Sequence, residues 1–267
     1  MTPNNVDVAI ANRIEIAQKV ILSQKDFFHA YLGKASVSIK SDKSRVTEAD
    51  LAISKNILSA LADSFPLDNF CSEESEVKQF DLKPGFSWVL DPIDGTDNFS
   101  LGIPLCGISL ALLQDGFPVY GLIYDASTQK LLQGGKNIGV WCDRQEIQTP
   151  PDIFDSLSLT AFHGPVRDYN MPLLAPFLDG KSKLRSLGSA VLSLAYLATS
   201  KVHGYMDFQL KIWDFCAGYA ILEALSVEFT FLCPSPFPLQ SFDVYHTPCR
   251  FYTGVPSFCK FIKTLVS

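Results

Sequence analysis

Trp88-Val-Leu-Asp-Pro-Ile-Asp-Gly-Thr-Asp-Asn-Phe99 is the stretch from which both the fold and the chemistry are read. Ser87–Leu90 has the composition of a short buried strand, and it delivers Asp91 at its end. Pro92 has no N–H to give to a ladder, so the strand is expected to stop there. Asp94, Gly95 and Thr96 follow at once. Two carboxylates on so tight a turn can converge on one point. Gly95 lets the main chain come close to a ligand. The N–H groups of Gly95 and Thr96 would open a short helix over 96–101, and a helix start of that kind binds anions. One turn therefore offers cation ligands and a phosphate cradle. Taken alone, the same residues also fit an ordinary Asp-Pro/Asp-Gly turn.

Working outward, a strand over 69–71 is followed by Glu73-Glu74. Hard oxygen ligands gathered from several strand ends suit Mg²⁺; alone, the pair reads as a solvated acidic loop. Upstream, an amphipathic helix is expected over 6–32, then a strand Val37–Lys40 and a polar loop Ser41–Arg45. A second helix runs from near Thr47 to about Ser64. Thr47-Glu-Ala-Asp50 fits a capping box with Asp in place of the usual Glu or Gln, which by itself accounts for Asp50. Lys40 either approaches the acidic loop or is solvated.

Downstream, Leu105–Leu113, Val119–Tyr124 and Gly139–Trp141 read as a meander, punctuated by Asp115-Gly116 and Gly134-Gly-Lys-Asn137. Thr149-Pro-Pro-Asp152 marks a boundary. It divides a subdomain over 1–148, carrying most candidate ligands, from one over 149–267, supplying Asp214 and substrate contacts. Strands over 157–161, 184–187 and 204–208 then alternate with helices over 190–200 and 214–225; the remainder resists assignment. A meander followed by alternation calls for a mixed α/β fold, sheets sandwiched between helical layers.

Composition narrows the function. The 267 residues are 47% apolar and 19% charged, a globular balance with material for a core. Net charge is −6 with no Lys/Arg stripe, which speaks against direct nucleic-acid binding. Seven cysteines at 71, 106, 142, 216, 233, 249 and 259 form no C-x-x-C, so reduced thiols in a cytoplasmic protein are expected. The N-terminal MTPNNVDVAI lacks a signal-peptide pattern, and no apolar run approaches the ~18 residues of a membrane span. His29, His163, His203 and His246 lie outside every motif and read as structural or surface residues. Trp88, Phe99 and Trp213 read as core.

Asp91-Pro-Ile-Asp-Gly-Thr-Asp-Asn-Phe99 resembles the first signature of the inositol monophosphatase family, and Ile212-Trp-Asp-Phe-Cys-Ala-Gly218 resembles the second. Ser72-Glu-Glu-Ser75 and Val46-Thr-Glu-Ala-Asp50 look like two further family elements, in family order. The resemblance implies a layered αβαβα sandwich, usually a homodimer. It implies Mg²⁺-dependent, Li⁺-sensitive hydrolysis of a phosphate monoester, with two or three ions and Mn²⁺ able to substitute. Matched by motif, Glu73, Asp91 and the Ile93 carbonyl would hold one metal, and Asp91, Asp94 and Asp214 a second. Thr96, supported by Asp50, would orient the attacking water, with Glu73 touching that water's surroundings. Gly95 and Thr96 would bind phosphate. Gly188, Ser189, Ala190 and Asp207 would contact the organic part of the substrate. Two cations about 3.5–4 Å apart neutralise a phosphate and acidify water, so no Ser-His-Asp set is needed.

The departures bear on substrate. Asp97 stands where Thr is usual, Lys211 precedes the second signature, and Asp207 is one methylene shorter than the expected Glu. The usual glycine pair after the helix bearing Asp214 is absent from Glu223-Ala-Leu-Ser-Val227. Inositol monophosphate or a related polyol or sugar phosphate is the leading expectation. Fructose 1,6-bisphosphate, histidinol phosphate and 3′-phosphoadenosine phosphates are rivals, and Asp97 speaks against the last. A transcription-complex partner with dispensable phosphatase activity is the rival of another class.

Overall fold

The computed structural model describes residues 7–40, 45–245 and 248–266. Residues 41–44 of the polar loop read at Ser41–Arg45, and His246, lie outside these residues. In chain order the elements begin with α1 (Val8–Ser23), α2 (Lys25–Tyr31), β1 (Val37–Ile39), β2 (Arg45–Thr47), α3 (Glu48–Ser64), β3 (Asn69–Ser72), β4 (Gln79–Asp81) and β5 (Phe86–Asp94). There follow α4 (Thr96–Ser100), β6 (Gly107–Gln114), β7 (Phe117–Asp125), β8 (Lys130–Gly135), β9 (Gly139–Cys142) and β10 (Gln145–Glu146). The second half holds β11 (Leu159–His163), α5 (Met171–Leu178), β12 (Lys183–Arg185), α6 (Ala190–Ala198), β13 (Gly204–Leu210) and α7 (Ile212–Ala224). It closes with β14 (Glu228–Phe231), β15 (Ser241–Asp243), β16 (Cys249–Gly254) and α8 (Pro256–Val266).

A seven-stranded sheet runs β10-β9-β8-β7-β6-β5-β3, antiparallel except for the parallel β3–β5 pair. A five-stranded sheet runs β12-β11-β13-β16-β14, its first three strands parallel. Period-two alternation gives each strand two faces. Trp88 and Leu90 of β5 and Ile108, Leu110 and Leu112 of β6 meet Ala17, Ile21, Ile53 and Ile57 of α1 and α3. Val89, Ala111 and Ile123 turn the other way, onto Val191 and Leu194 of α6 and Ala217 and Ile221 of α7. Ala161, Tyr205 and Phe251 of the second sheet close that central core. Met206, Phe208 and Tyr252 face Leu174, Phe177 and Phe258 of α5 and α8. The result is five layers, αβαβα. Among the described residues no helix is long and apolar enough to cross a membrane.

Four expectations change. The first helix breaks at Gln24 into two. β8 runs through Gly134 and Gly135, which had read as a turn; a Cβ at Gly135 would lie 2.1 Å from the Val119 carbonyl, so the glycine serves close strand packing. α5 and everything after residue 225 had no sequence signal. β5 continues through Pro92 to Asp94, because Pro92 and Ile93 together stand opposite Ile108, a bulge where the missing N–H costs no ladder bond.

Candidate active site

The bulge at the end of β5 aims two carboxylates at the start of α7. Asp91, Asp94 and Asp214 each place an oxygen within 4.8 Å of the others. Ile93 N–H donates to Asp91 Oδ1 (3.1 Å), fixing the turn. Gly95 follows at φ +80°, and a Cβ there would lie 3.0 Å from Leu105 O and 3.1 Å from Gly188 O. Ser109 Oγ donates to Trp213 O (3.2 Å), tying the start of α7 to β6 beside Asp91. Asp214 is the third residue of α7, not its cap: its Oδ2 reaches back to accept from Lys211 N–H at 2.7 Å.

Asp50 makes the contacts that both readings of it call for, one oxygen each. Oδ2 accepts from Thr47 N–H (2.8 Å) and Thr47 Oγ1 (2.5 Å), completing the capping box. Oδ1 lies 3.4 Å from Thr96 Oγ1, which also lies 3.0 Å from Ile93 O. Glu73 is held from behind: Lys40 Nζ donates to Glu73 Oε1 at 2.7 Å and to Glu74 Oε1. The solvated reading of Lys40 is therefore set aside.

A cavity of about 500 Å³ opens over this cluster and is lined by Glu73, Asp94, Gly95, Thr96 and Asp214, with Gly188 and Ala190. Arg45, Asp97, His163 and Gln209 complete its charged and polar rim. A second cavity of about 480 Å³ backs onto Glu73 and Asp214 and is lined by Lys40, Lys78 and Lys211. Two expected substrate contacts do not line the first cavity. Ser189 is buried; its hydroxyl donates to Asp94 Oδ2 and accepts from Leu192 N–H. Together with the N–H groups of Ala190 and Val191, it turns the start of α6 onto Asp94. Asp207 is 0% exposed, and both its oxygens are taken by protein donors. His163, read as structural, lines the cavity in front of this network and bonds Asp207 through Nδ1 at 3.2 Å. In the sequence it stands two residues beyond the strand read over 157–161, and that nearness to a strand end is the signal that could have found it.

Burial and crowding set the electrostatics. Burial, then Glu73, Asp94 and Asp214, pushes Asp91 well above the usual carboxylate range. Burial, then Asp94 and Glu73, does the same to Asp214. Asp94 rises to about 6 through burial, against the hydrogen bond from Ser189. Glu73 rises to about 7 through burial, against Lys40. Burial also lifts Asp50 to about 6. Carboxylates that repel one another out of water have the chemistry of a hard-cation site, where positive charge removes the repulsion. The donor set therefore fits Mg²⁺.

The profile described as the inositol monophosphatase family matches residues 5–250. An inositol-1-monophosphatase of Synechocystis sp. is 30% identical over 239 residues, covering 85% of this chain and 82% of its own. Nus factor SuhB of Vibrio cholerae is 30% identical over 193 residues, covering 70% of this chain and 72% of its own. Among solved structures, an IMPase/NADP phosphatase complexed with Mg²⁺ and phosphate superposes with a TM-score of 0.83 at 20% identity. That match covers 97% of this chain and 96% of the other.

Proposed function

Because the chain belongs to the inositol monophosphatase family, and is by that membership a phosphoric monoester hydrolase, we propose that it cleaves a small phosphate monoester with the help of Mg²⁺. An inositol monophosphate or related polyol or sugar phosphate is the substrate class. The observation that carries the reading is the convergence of Asp91, Asp94 and Asp214 under an open cavity. Glu73, Asp91, the Ile93 carbonyl, Asp94 and Asp214 would hold the cations. Bound there, they supply charge neutralisation of the phosphate and a more acidic water.

The chain's own residues do the rest. The N–H groups of Gly95 and Thr96 donate to phosphate oxygens at the start of α4. Thr96 Oγ1 gives its proton to a hydrogen bond with Asp50 Oδ1 and accepts one from the attacking water, fixing its direction. Glu73 faces the same water, with Lys40 holding its carboxylate in place. A homodimer in the cytoplasm, with subdomains over 1–148 and 149–267, belongs to the same proposal; every strand of the larger sheet precedes that boundary. A second reading, favoured by the likeness to a Nus factor, is a transcription-complex partner whose phosphatase activity is dispensable.

Phosphate release from a panel of inositol, sugar and nucleotide monoesters, with Mg²⁺ and with or without Li⁺, tests the first reading. Turnover requiring Mg²⁺ and falling with Li⁺ is expected. Full turnover in excess EDTA would overturn it.

A further inference from the structure

We propose that His163 reads the organic part of the substrate, and that it selects an alcohol bearing an anionic oxygen group, a carboxylate or a second phosphate, near the ester. This rests on the phosphatase reading above. β11 and β13 are parallel neighbours with His163 in register with Asp207. Asp207 Oδ2 accepts from the Tyr205 hydroxyl at 2.5 Å, and Oδ1 accepts from Gln209 N–H at 2.9 Å. A carboxylate so surrounded acts as an acceptor, so His163 Nδ1 donates to it. His163 Nε2 makes no hydrogen bond to any described residue, and the side chain is 41% exposed in the cavity that holds Asp94, Gly95 and Thr96.

A carboxylate free to accept polyol hydroxyls was expected at this place. The chain instead keeps that carboxylate inside and presents an imidazole. The Asp207 hydrogen bond raises His163 to about 8 against the opposing effect of burial, so near neutral pH the ring is an imidazolium with Nε2–H outward. The polarity of the subsite is inverted, from acceptor to charged donor. Arg45 lines the same cavity and pairs with Asp97 at 3.4 Å, so the charges of those two rim residues offset one another and the Asp97 carboxylate does not oppose an anionic group at His163. A charge-assisted hydrogen bond from Nε2 to an anionic oxygen favours such a substrate by about tenfold or more over a hydroxyl at the same place.

Two matched pairs test this. Glycerol 2-phosphate and 2-phosphoglycerate share a carbon chain and ester position and differ in one carboxylate. Fructose 1-phosphate and fructose 1,6-bisphosphate differ in one phosphate. kcat/KM is measured with Mg²⁺ for the natural protein, His163→Leu and His163→Gln, with p-nitrophenyl phosphate as reference. The natural protein should prefer the anionic member of at least one pair by about tenfold, and the pair that does so identifies the group. His163→Leu should lose that preference, cutting the anionic member far more than p-nitrophenyl phosphate. If His163→Leu does not fold, His163→Gln carries the comparison, since a neutral amide should lose most of the preference. Equal loss on both members, or no preference in either pair, overturns the proposal while leaving the hydrolase reading intact. No turnover of any ester, p-nitrophenyl phosphate included, would instead strike the hydrolase reading.

Discussion

Replacing Asp91→Asn should make the cation-free protein more stable while destroying its activity. Asp91 is 2% exposed and, among the described residues, accepts from Ile93 N–H alone; burial first, then Glu73, Asp94 and Asp214, push its charge upward in energy. Its two milder neighbours carry a cost of the same kind. Asp94 moves from 3.8 to about 6 and Glu73 from 4.5 to about 7, each equivalent to about 3 kcal/mol of unfavourable charging. Asn keeps the acceptor for Ile93 and offers its amide to the surrounding carboxylates, and removing an uncompensated buried charge is worth about 3 kcal/mol. In a chain of this size that raises the melting temperature by about 6–12 °C without cations at pH 8. The sign follows from the raised carboxylate. Its cost is absent below the unfolded value near 3.9 and grows with pH until the folded value is passed, so the gain should vanish at pH 4. Mg²⁺ at about 100 times its Kd should stabilise the natural protein by about 2.7 kcal/mol and the variant far less, closing the gap. Activity should fall by more than about 10³-fold. Paired melting scans with EDTA and with Mg²⁺ decide it. A variant less stable than the natural protein in EDTA, or one that gains equally from Mg²⁺, would refute the idea of a repulsive, cation-demanding cluster.

Thr96→Ala should lower kcat by about 10²-fold with little change in KM, if the hydroxyl acts on the attacking water alone; steady-state kinetics that move only KM would assign it to binding. Gly95→Ala should cost about 1–3 kcal/mol, since φ is +80° and the new methyl would press on Leu105 O and Gly188 O; denaturant midpoints test this, and an unchanged midpoint would contradict it. His163 should titrate near 8 by NMR and move towards 6.5 in Asp207→Ala, because the Asp207 hydrogen bond is the largest influence on it, ahead of burial, with Asp94 and Asp214 adding to the rise. Its contribution to stability should therefore be complete below about 6.5 and lost as pH rises through about 8. An unshifted resonance in the variant would show the pairing to be weak.

What was legible in the sequence was local. α3 announced itself because Thr47 and Asp50 close a capping box within one turn. The strand into Asp91 was visible because its apolar run ends in residues with strong backbone preferences. What stayed hidden depends on partners far along the chain. β15 exists by pairing with β4, Phe242 opposite Phe80, and nothing near residue 242 announces it. His163 acquires its role from Asp207, 44 positions on, through strand register. Asp207 reads in the sequence as a short carboxylate facing the substrate, because sequence cannot show that Tyr205 and His163 claim it first. Pro92 misled in the opposite direction: its lack of an N–H is tolerated at a bulge, and a bulge is set by the neighbouring strand.

The order of the smaller sheet has a consequence for how the protein comes to exist. β16 follows the other four strands of this sheet in the chain, yet it lies inside the sheet, between β13 and β14. β14 is translated earlier but, among the described residues, pairs only with β16. Until the ribosome has delivered Cys249–Gly254, β13 and β14 both present open ladder edges, and Phe229, Phe231 and Tyr205 lack the Phe251 ring against which they pack. Vectorial synthesis therefore leaves the larger sheet complete and the smaller one open until those residues emerge, and in that interval unpaired edges invite association with other chains. A premature stop before residue 249 would not give a slightly shorter protein; it would give a chain held in that open, sticky state.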